Sequence, residues 1–382
     1  MSFYTKQVKF NNIANNPTIL GFGCMRLPLI ENSNEIDVDL TFKMIDYAYQ
    51  NGVNYFDTAY PYHEGKSEIV IGKALKRYPR ESFYLADKMP TWLVKSQEDV
   101  VRIFNEQLEK CQVEYFDFYL CHALNKDNFN AYRLPGVMEF LYEMKRIGKI
   151  KYLGFSFHDS PEVLKEILNT YEFDFVQLQI NYLDWDFQKA KEQYELVRQK
   201  GLPIIVMEPI RGGTLADLGE KPNAIFKDYD KDSSIASWAL RYVGSKPQIM
   251  TVLSGMSTLE HVIDNINTMK EFKNLSSKEE EIVALALDSF LLNNNFIPCT
   301  GCRYCMDCPM GVDIPLNFKM YNNYAISKHE KGYVNGYLKL DMKAASSCVG
   351  CSLCVKKCPQ HILIPNKMKE ISDFIQSVKE KY

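Results

Sequence analysis

At 382 residues the chain is long enough for one large domain and a smaller one. Its 46% hydrophobic and 24% charged residues fit a soluble globular protein. A formal net charge of −3 gives no reason to expect nucleic acid or an anionic membrane as a partner. No run approaches the roughly eighteen apolar residues of a membrane span.

From Thr18 to about Asn267, short apolar runs alternate with amphipathic stretches. The strand-like runs are Ile19–Gly23, Val53–Asp57, Phe83–Lys88, Asp117–His122, Tyr152–Ser156, Phe175–Ile180, Ile204–Glu208 and Ile249–Ser254. Each is rich in Val, Ile, Leu, Phe or Tyr and too short for a helix. Helical patterns lie between them. In Gln97–Cys111, Val100, Ile103, Phe104, Leu108 and Cys111 share one face, opposite Glu98, Arg102, Glu106 and Lys110. Pro161 opens another helix after Asp159 and Ser160. Eight strand–helix units in about 250 residues match a (β/α)8 barrel in count and length. A doubly wound sheet would use fewer strands and a glycine-rich first turn, and no G-x-G-x-x-G follows the first strand. Glu64-Gly65-Lys66-Ser67 is similar to the end of a P-loop, but Tyr60 stands where the earlier glycine is required.

A further helix is capped at Ser276–Glu279 and runs to about Leu291, and Asn293, Asn294 and Asn295 mark a hinge. The expected domains are therefore 1–292, the barrel, and 293–382. Eight of the eleven cysteines fall in the second domain, in two runs. Cys299, Cys302, Cys305 and Cys308 precede Pro309; Cys348, Cys351, Cys354 and Cys358 precede Pro359. Three cysteines at three-residue steps wrap one face of an iron–sulfur cube, and the fourth, before proline, ligates the other cube. Two 4Fe–4S clusters with crossed ligation follow, in electron transfer or a structural role. Cys299, Cys302, Cys305 and Cys358 would hold one, and Cys348, Cys351, Cys354 and Cys308 the other. The first run has two residues, not three, before its last cysteine. Structural zinc favours separated C-x2-C pairs, and disulfide frameworks suit small secreted domains. The thirty-nine residues between the runs are long for a compact two-cluster fold and favour helices, over Leu316–Ser327 and Val334–Ala345. Cys24, Cys111 and Cys121 sit in apolar surroundings, as small core residues do. Cluster thiolates need a reducing compartment, so the cytoplasm is the expected location.

In a barrel, chemistry sits at the C-terminal ends of the strands. Asp57, Lys88 and His122 end strands two, three and four, and Tyr62 lies in the loop after strand two. Each alone has a bland reading as a cap or core residue. Together they make a proton-transfer group: Lys88 lowers the phenol's pKa, Asp57 keeps Lys88 charged, and a neutral His122 orients a carbonyl oxygen.

These residues carry a resemblance to the aldo-keto reductase family over roughly Ile19 to Asn267. Tyr55–Tyr62 followed by Gly65-Lys66-Ser67-Glu68 resembles its Asp and Tyr signature, Tyr84–Lys88 its Lys strand and Asp117–His122 its His strand. The resemblance implies a barrel interconverting carbonyl and alcohol with a nicotinamide cofactor, NADH or NADPH, with Tyr62 as proton donor. It also implies cofactor contacts at Ser156, Gln177, Met207, Glu208, Pro209, Arg211, Ser254, Gly255, Met256, Asp264 and Asn265. Phe157 stands where the family has Asn, and Met207 where it has a stacking aromatic. The basic clamp on the NADP 2′-phosphate is missing, with His261 in one such place.

The whole chain resembles the iron–sulfur branch of that family, an α/β TIM barrel followed by a ferredoxin-like domain. Its expected partners are a small carbonyl or alcohol substrate and a redox protein docking near the clusters, with no nucleic acid and no membrane. Two other readings stay open at this point: an enzyme fed by its clusters, with or without flavin, and a non-catalytic redox-sensing subunit. The substrate is not legible, since specificity in a barrel lies in its loops. His63, Trp92, Asn125, His158 and Trp185 are the pocket candidates by loop position.

Overall fold

The computed structural model describes residues 3–4, 17–31, 33–293, 296–327 and 329–381. All eight apolar runs become strands: β1 Leu20–Gly23, β2 Tyr55–Asp57, β3 Tyr84–Met89, β4 Phe116–Leu124, β5 Ile150–Phe157, β6 Phe175–Gln179, β7 Ile204–Met207 and β8 Ile249–Ser254. They pair in parallel and in chain order, and β1 pairs with β8 to close the barrel. Parallel strands covered on both faces read as continuous apolar sequence, and every residue of β4 and β8 is buried.

The helices are α1 Val38–Gln50, α2 Ser67–Leu75, α3 Gln97–Cys111, α4 Val137–Arg146, α5 Pro161–Thr170, α6 Asp184–Phe187, α7 Ala190–Gln199, α8 Glu220–Tyr229, α9 Ile235–Gly244, α10 Leu259–Met269, α11 Ser277–Asn293, α12 Ile314–Ser327, α13 Glu330–Tyr337 and α14 Ile364–Val378. The helix expected over Val334–Ala345 instead ends at Tyr337, and two short 3₁₀ turns follow at Asp341–Lys343 and Ala345–Ser347. Asn317 explains the break: its side chain binds the Lys343 carbonyl and the Ala345 amide, backbone groups a continuing helix would use itself. Of the expected hinge, Asn294 and Asn295 lie outside the described residues.

The chain divides into two compact units. One takes the residues up to Ile210 with Ala236–Ser276; the other takes Arg211–Ile235 and everything from Ser277. The segment after β7, with α8, thus groups with α11 and the cysteine runs rather than with the barrel.

Within the barrel unit the two-residue pleat sets the site. Tyr55, Ala86, Phe118, Leu120, Phe175, Ile205, Met250 and Leu253 form the inner core. Two residues beyond Tyr55, Ala86 and Leu120 on the same inward face come Asp57, Lys88 and His122. At the other end Asp117, buried in β4, accepts from the Leu85 amide, Arg80 and Lys151 at 3.0, 2.6 and 2.9 Å, tying the starts of β3, β4 and β5 together. Cys24, Cys111 and Cys121 are buried in the outer core.

The second unit is built on a repeat. Cys308-Pro309-Met310-Gly311-Val312-Asp313-Ile314-Pro315 matches Cys358-Pro359-Gln360-His361-Ile362-Leu363-Ile364-Pro365, and each stretch opens a helix, α12 or α14. Positive φ falls at equivalent places in both halves: Gly301 and Gly350, Arg303 and Ser352, Gly311 and His361. Ile297, Val312, Ile314, Phe318, Val334, Ile362, Ile364, Met368, Ile371 and Ile375 form its core.

Gly72 marks the tightest helix contact in the barrel. A Cβ there would sit 2.6 Å from the Cys111 and Lys110 backbone. Helix propensity favours alanine by about 1 kcal/mol, but overpacking against rigid backbone costs about 1–3 kcal/mol. Gly72→Ala should therefore lose stability in urea unfolding, and a net gain would show that α2 and α3 separate freely.

Candidate functional site

The pleat brings the four expected residues into one cluster at the C-terminal ends of β2–β4. Lys88 is wholly buried; its Nζ donates to Asp57 Oδ1 at 2.5 Å and to the Thr58 carbonyl at 2.7 Å. The same ammonium lies 4.8 Å from the centre of the Tyr62 ring. The Tyr62 and His122 rings meet edge to face, with centroids 5.9 Å apart. His122 sits at an irregularity in the β4–β5 pairing between Cys121 and Leu124, where Ala123 takes φ +52° and its amide donates to Ser156 Oγ at 2.7 Å. Such bulges re-aim a side chain at a barrel rim.

Burial dominates the electrostatics. It pushes the Asp57 carboxyl up, opposed by the Lys88 charge. It drives His122 well below its ordinary value, helped by the charges of Lys88 and His158, so the imidazole is neutral. The phenol of Tyr62 differs from the expectation. Lys88 was to lower its pKa; instead burial, with the charges of Asp57 and Glu208, pushes it well above 10. The physical reason is that Lys88 meets the face of the ring, while its hydrogen bonds go to Asp57 and Thr58. Tyr62 therefore keeps its proton at neutral pH.

Lys88 is also held from behind. Its amide donates to Asp87 Oδ1 at 2.8 Å, and its carbonyl accepts from Gln107 Nε2 at 3.1 Å. Gln107 in turn donates to Glu68, which pairs with Lys110. Glu68, Asp87 and Gln107 are fully buried. Sequence reasoning missed this group; three polar residues on otherwise apolar faces of α2, β3 and α3 were its available signal.

It missed Arg26 as well. Arg26 Nη2 pairs with Glu208 Oε1 at 2.9 Å, its side chain runs over Gly255, and both charges bear on Tyr62. Among the expected cofactor residues, Ser156 and Gln177 are register neighbours, and Gln177 Nε2 reaches Met207 Sδ at 3.6 Å. Gln177 Oε1 is buried and has no hydrogen-bond partner. Ser254 and Asn265 bind each other at 2.7 Å; Met256 is buried in the outer core; Pro209 is buried and Asp264 half-buried. Arg211 belongs to the second unit, fully buried, its guanidinium over the Phe296 ring and 3.4 Å from the Pro298 carbonyl. Of the pocket candidates, Trp92 lies with its ring centroid 5.2 Å from that of His122 and tilted 48° to it, and His158 acts on His122 electrostatically. His63 accepts from the Leu27 amide, and Asn125 shapes its own loop. Trp185 packs instead on Tyr194, Tyr242 and Lys246.

In the second unit the cysteines sort into two sets. Cys305 feels the charges of Cys302, Cys299 and Cys358; Cys354 feels those of Cys348, Cys351 and Cys308. The first four line one cavity with Thr300, Ile314, Phe318 and Ile362. Among the described residues no three His, Cys, Asp or Glu side chains converge as on a single metal ion.

The aldo/keto reductase family model matches residues 19–286. The chain belongs to the aldo/keto reductase family. A 4Fe-4S dicluster domain model matches residues 298–363, so the enzyme joins a reductase barrel to an iron–sulfur domain. It is 30% identical over 215 residues to the "Probable aldo-keto reductase 1" of Glycine max, covering 53% of this chain and 59% of that one. It is 25% identical over 288 residues to the L-galactose dehydrogenase of Arabidopsis thaliana, covering 69% and 88%. The holo form of an aldo-keto reductase from Bacillus halodurans shares the fold at a TM-score of 0.62 and 24% identity, over 74% of this chain and 96% of that one. The enzyme is thus an oxidoreductase of a family acting on small carbonyl and alcohol substrates. No helix among the described residues is long and apolar enough to cross a membrane.

Removing the ammonium while leaving Asp57 in place would strand a buried carboxylate. Lys88→Met should cost about 3–5 kcal/mol of stability, read by chemical denaturation, and a loss below about 1 kcal/mol would mean that water reaches Asp57 freely.

Proposed function

We propose that the barrel interconverts a carbonyl and an alcohol by hydride transfer with NADH or NADPH, and that Tyr62 is the proton donor. The observation that carries this reading is the cluster itself: a protonated phenol flanked by a buried ammonium 4.8 Å from its ring and by a neutral imidazole. As negative charge develops on a substrate oxygen, Tyr62 gives up its proton. Lys88 stabilises the phenolate left behind, and Asp57 holds Lys88 in place. His122, unable to compete as a charged acid, orients the substrate oxygen through a ring nitrogen. Trp92 and the Arg26–Glu208 pair line the approach to the phenol.

The residues present fit a nicotinamide. The orphaned Gln177 Oε1 is a buried acceptor suited to a carboxamide N–H. Ser156 stands beside it in register, and Met207 offers an apolar, polarizable surface to the ring. Gly255, Ser257 and the N-terminus of α10 suit a pyrophosphate, with Ser254, Met256, Asp264 and Asn265 behind them. A bound nicotinamide supplies or takes the hydride.

In the second domain we propose two 4Fe–4S clusters with crossed ligation: Cys299, Cys302, Cys305 and Cys358 for one, and Cys348, Cys351, Cys354 and Cys308 for the other. The sorting of the cysteines into these two sets supports it. We assign the clusters to electron transfer and the protein to the cytoplasm, where thiolates stay reduced.

Tyr62→Phe should reduce carbonyl turnover by about 10²–10⁴-fold with little change in cofactor binding; near wild-type turnover would remove Tyr62 from the mechanism. The sign of the pH dependence follows from the two shifts. A histidine pushed below its ordinary 6.5 is neutral above that pH, and a phenol pushed above its ordinary 10 is protonated below it. Reduction by the wild type should then be flat from about pH 7 to 9.

Anaerobically prepared protein should carry about eight iron and eight sulfide per chain. Cys358→Ser should degrade the cluster of the first run, although Cys358 lies in the second. Stoichiometric zinc without iron would end this assignment.

A further inference from the structure

The two cysteine loops are alike in sequence spacing and backbone, yet they face different surroundings. In the first, Thr300 is 4% exposed, and a Cβ on Gly212 would lie 2.2 Å from the Thr300 carbonyl, so the segment after β7 lies directly on this loop. In the second, Val349-Gly350-Cys351-Ser352-Leu353 are all exposed, with Val349 at 64% and Leu353 at 61%. Two bare aliphatic side chains thus flank the cluster ligand Cys351. Leaving them in water costs hydrophobic free energy that a monomer gains by burying them elsewhere.

The charge around this loop is opposite to that of the chain. The protein carries a formal charge of −3. Residues 339–373 hold six lysines (Lys339, Lys343, Lys356, Lys357, Lys367 and Lys369) against Asp341, Glu370 and Asp373, a local balance of +3. Lys357 pairs with Asp307, Lys367 with Glu370 and Lys369 with Asp373, which leaves Lys343 and Lys356 as the exposed charges nearest the loop in the chain. Lys356 and Lys357 are exposed and follow the loop immediately. An apolar centre with a basic rim, around an exposed ligand of a redox centre, is complementary to an acidic partner.

We infer that Val349–Leu353, flanked in the chain by the exposed Lys343 and Lys356, docks an acidic one-electron carrier protein, and that the cluster bound by Cys308, Cys348, Cys351 and Cys354 is where electrons enter or leave. In the step, one electron leaves the carrier, which is oxidised by one, and reduces the cluster by one; no bond or proton is exchanged. The inference rests on the electron-transfer reading of the clusters.

The test uses anaerobic, cluster-loaded full-length protein and an acidic two-cluster ferredoxin as probe, with no carbonyl substrate, so a failed carbonyl assay does not bear on it. Binding is measured by calorimetry at low and near-physiological salt, and cluster reduction by absorbance. Affinity should fall about tenfold or more as salt rises, and again in Lys356→Glu and Leu353→Asp. Reduction by dithionite, which needs no docking surface, should be unchanged in both variants. Salt-independent binding, unchanged affinity in both variants, or binding to phosphatidylglycerol vesicles in place of the ferredoxin would overturn the inference. If a variant fails to load its clusters, the salt titration of the wild type decides.

Discussion

The buried pair between Lys88 and Asp57 governs the barrel site. An ammonium carried into an apolar barrel mouth is tolerable only with a partner at hydrogen-bonding distance. Once there, its charge acts on everything around it through a low dielectric. It adds to the burial that keeps His122 neutral, and it leaves Asp57, rather than Tyr62, as its hydrogen-bond acceptor. Geometry of this kind needs a rigid support. The Lys88 peptide is clamped on both sides by Asp87 and Gln107, which tie β3 to α2 and α3 through Glu68. The polar group buried outside the barrel thus fixes the charge buried inside it.

The iron–sulfur domain solves a different problem with one device used twice. Each half places a glycine and a second left-handed residue inside the cysteine loop, then a Cys-Pro step that leads into a helix. Positive φ at Arg303, Ser352 and His361 costs about 1 kcal/mol or more at each position. Loops that turn backbone amides and thiols toward one centre need such conformations, and metal binding offsets them. Beyond the one-residue difference before the last cysteine, the halves differ in what covers them. The repeat gives two equivalent cysteine loops, and their surroundings bury Thr300 in one and leave Val349–Leu353 exposed in the other.

Much of this was legible in the sequence. Eight apolar runs at regular spacing named the barrel, because parallel strands hidden on both faces leave no alternation to confuse with anything else. Asp57, Lys88 and His122 could be placed because strand ends and the two-residue pleat are both countable. The cysteine runs named the 4Fe-4S domain. Other features depend on packing that no local pattern encodes. Tyr62 was expected to be acidified by Lys88; which face of a ring an ammonium meets is a tertiary fact. The helix over Val334–Ala345 stops early because a distant Asn317 competes for its backbone. The contacts of Arg211 with Phe296 and Pro298, some ninety residues on, are likewise invisible to periodicity.

Two buried acceptors at the site lack partners: Asp57 Oδ2 and Gln177 Oε1. Each unsatisfied polar atom costs a folded protein about 1–3 kcal/mol, so neither is explained by stability. Both lie in the barrel, one beside the phenol and its ammonium, the other beside Met207. A ligand that donates a hydrogen bond to Gln177 recovers what the free protein forgoes, and binding there is favoured by the amount the fold left unsatisfied. Asp57 Oδ2 acts differently: an unshared oxygen on the carboxylate keeps negative charge near Tyr62 and opposes its ionisation. The same restraint that makes the phenol a poor acid in the resting enzyme keeps it fully protonated, and the ammonium on its ring then favours the charged form only at the moment the proton leaves. Stability is given up at the points where the proposed reaction needs a donor and an acceptor held ready.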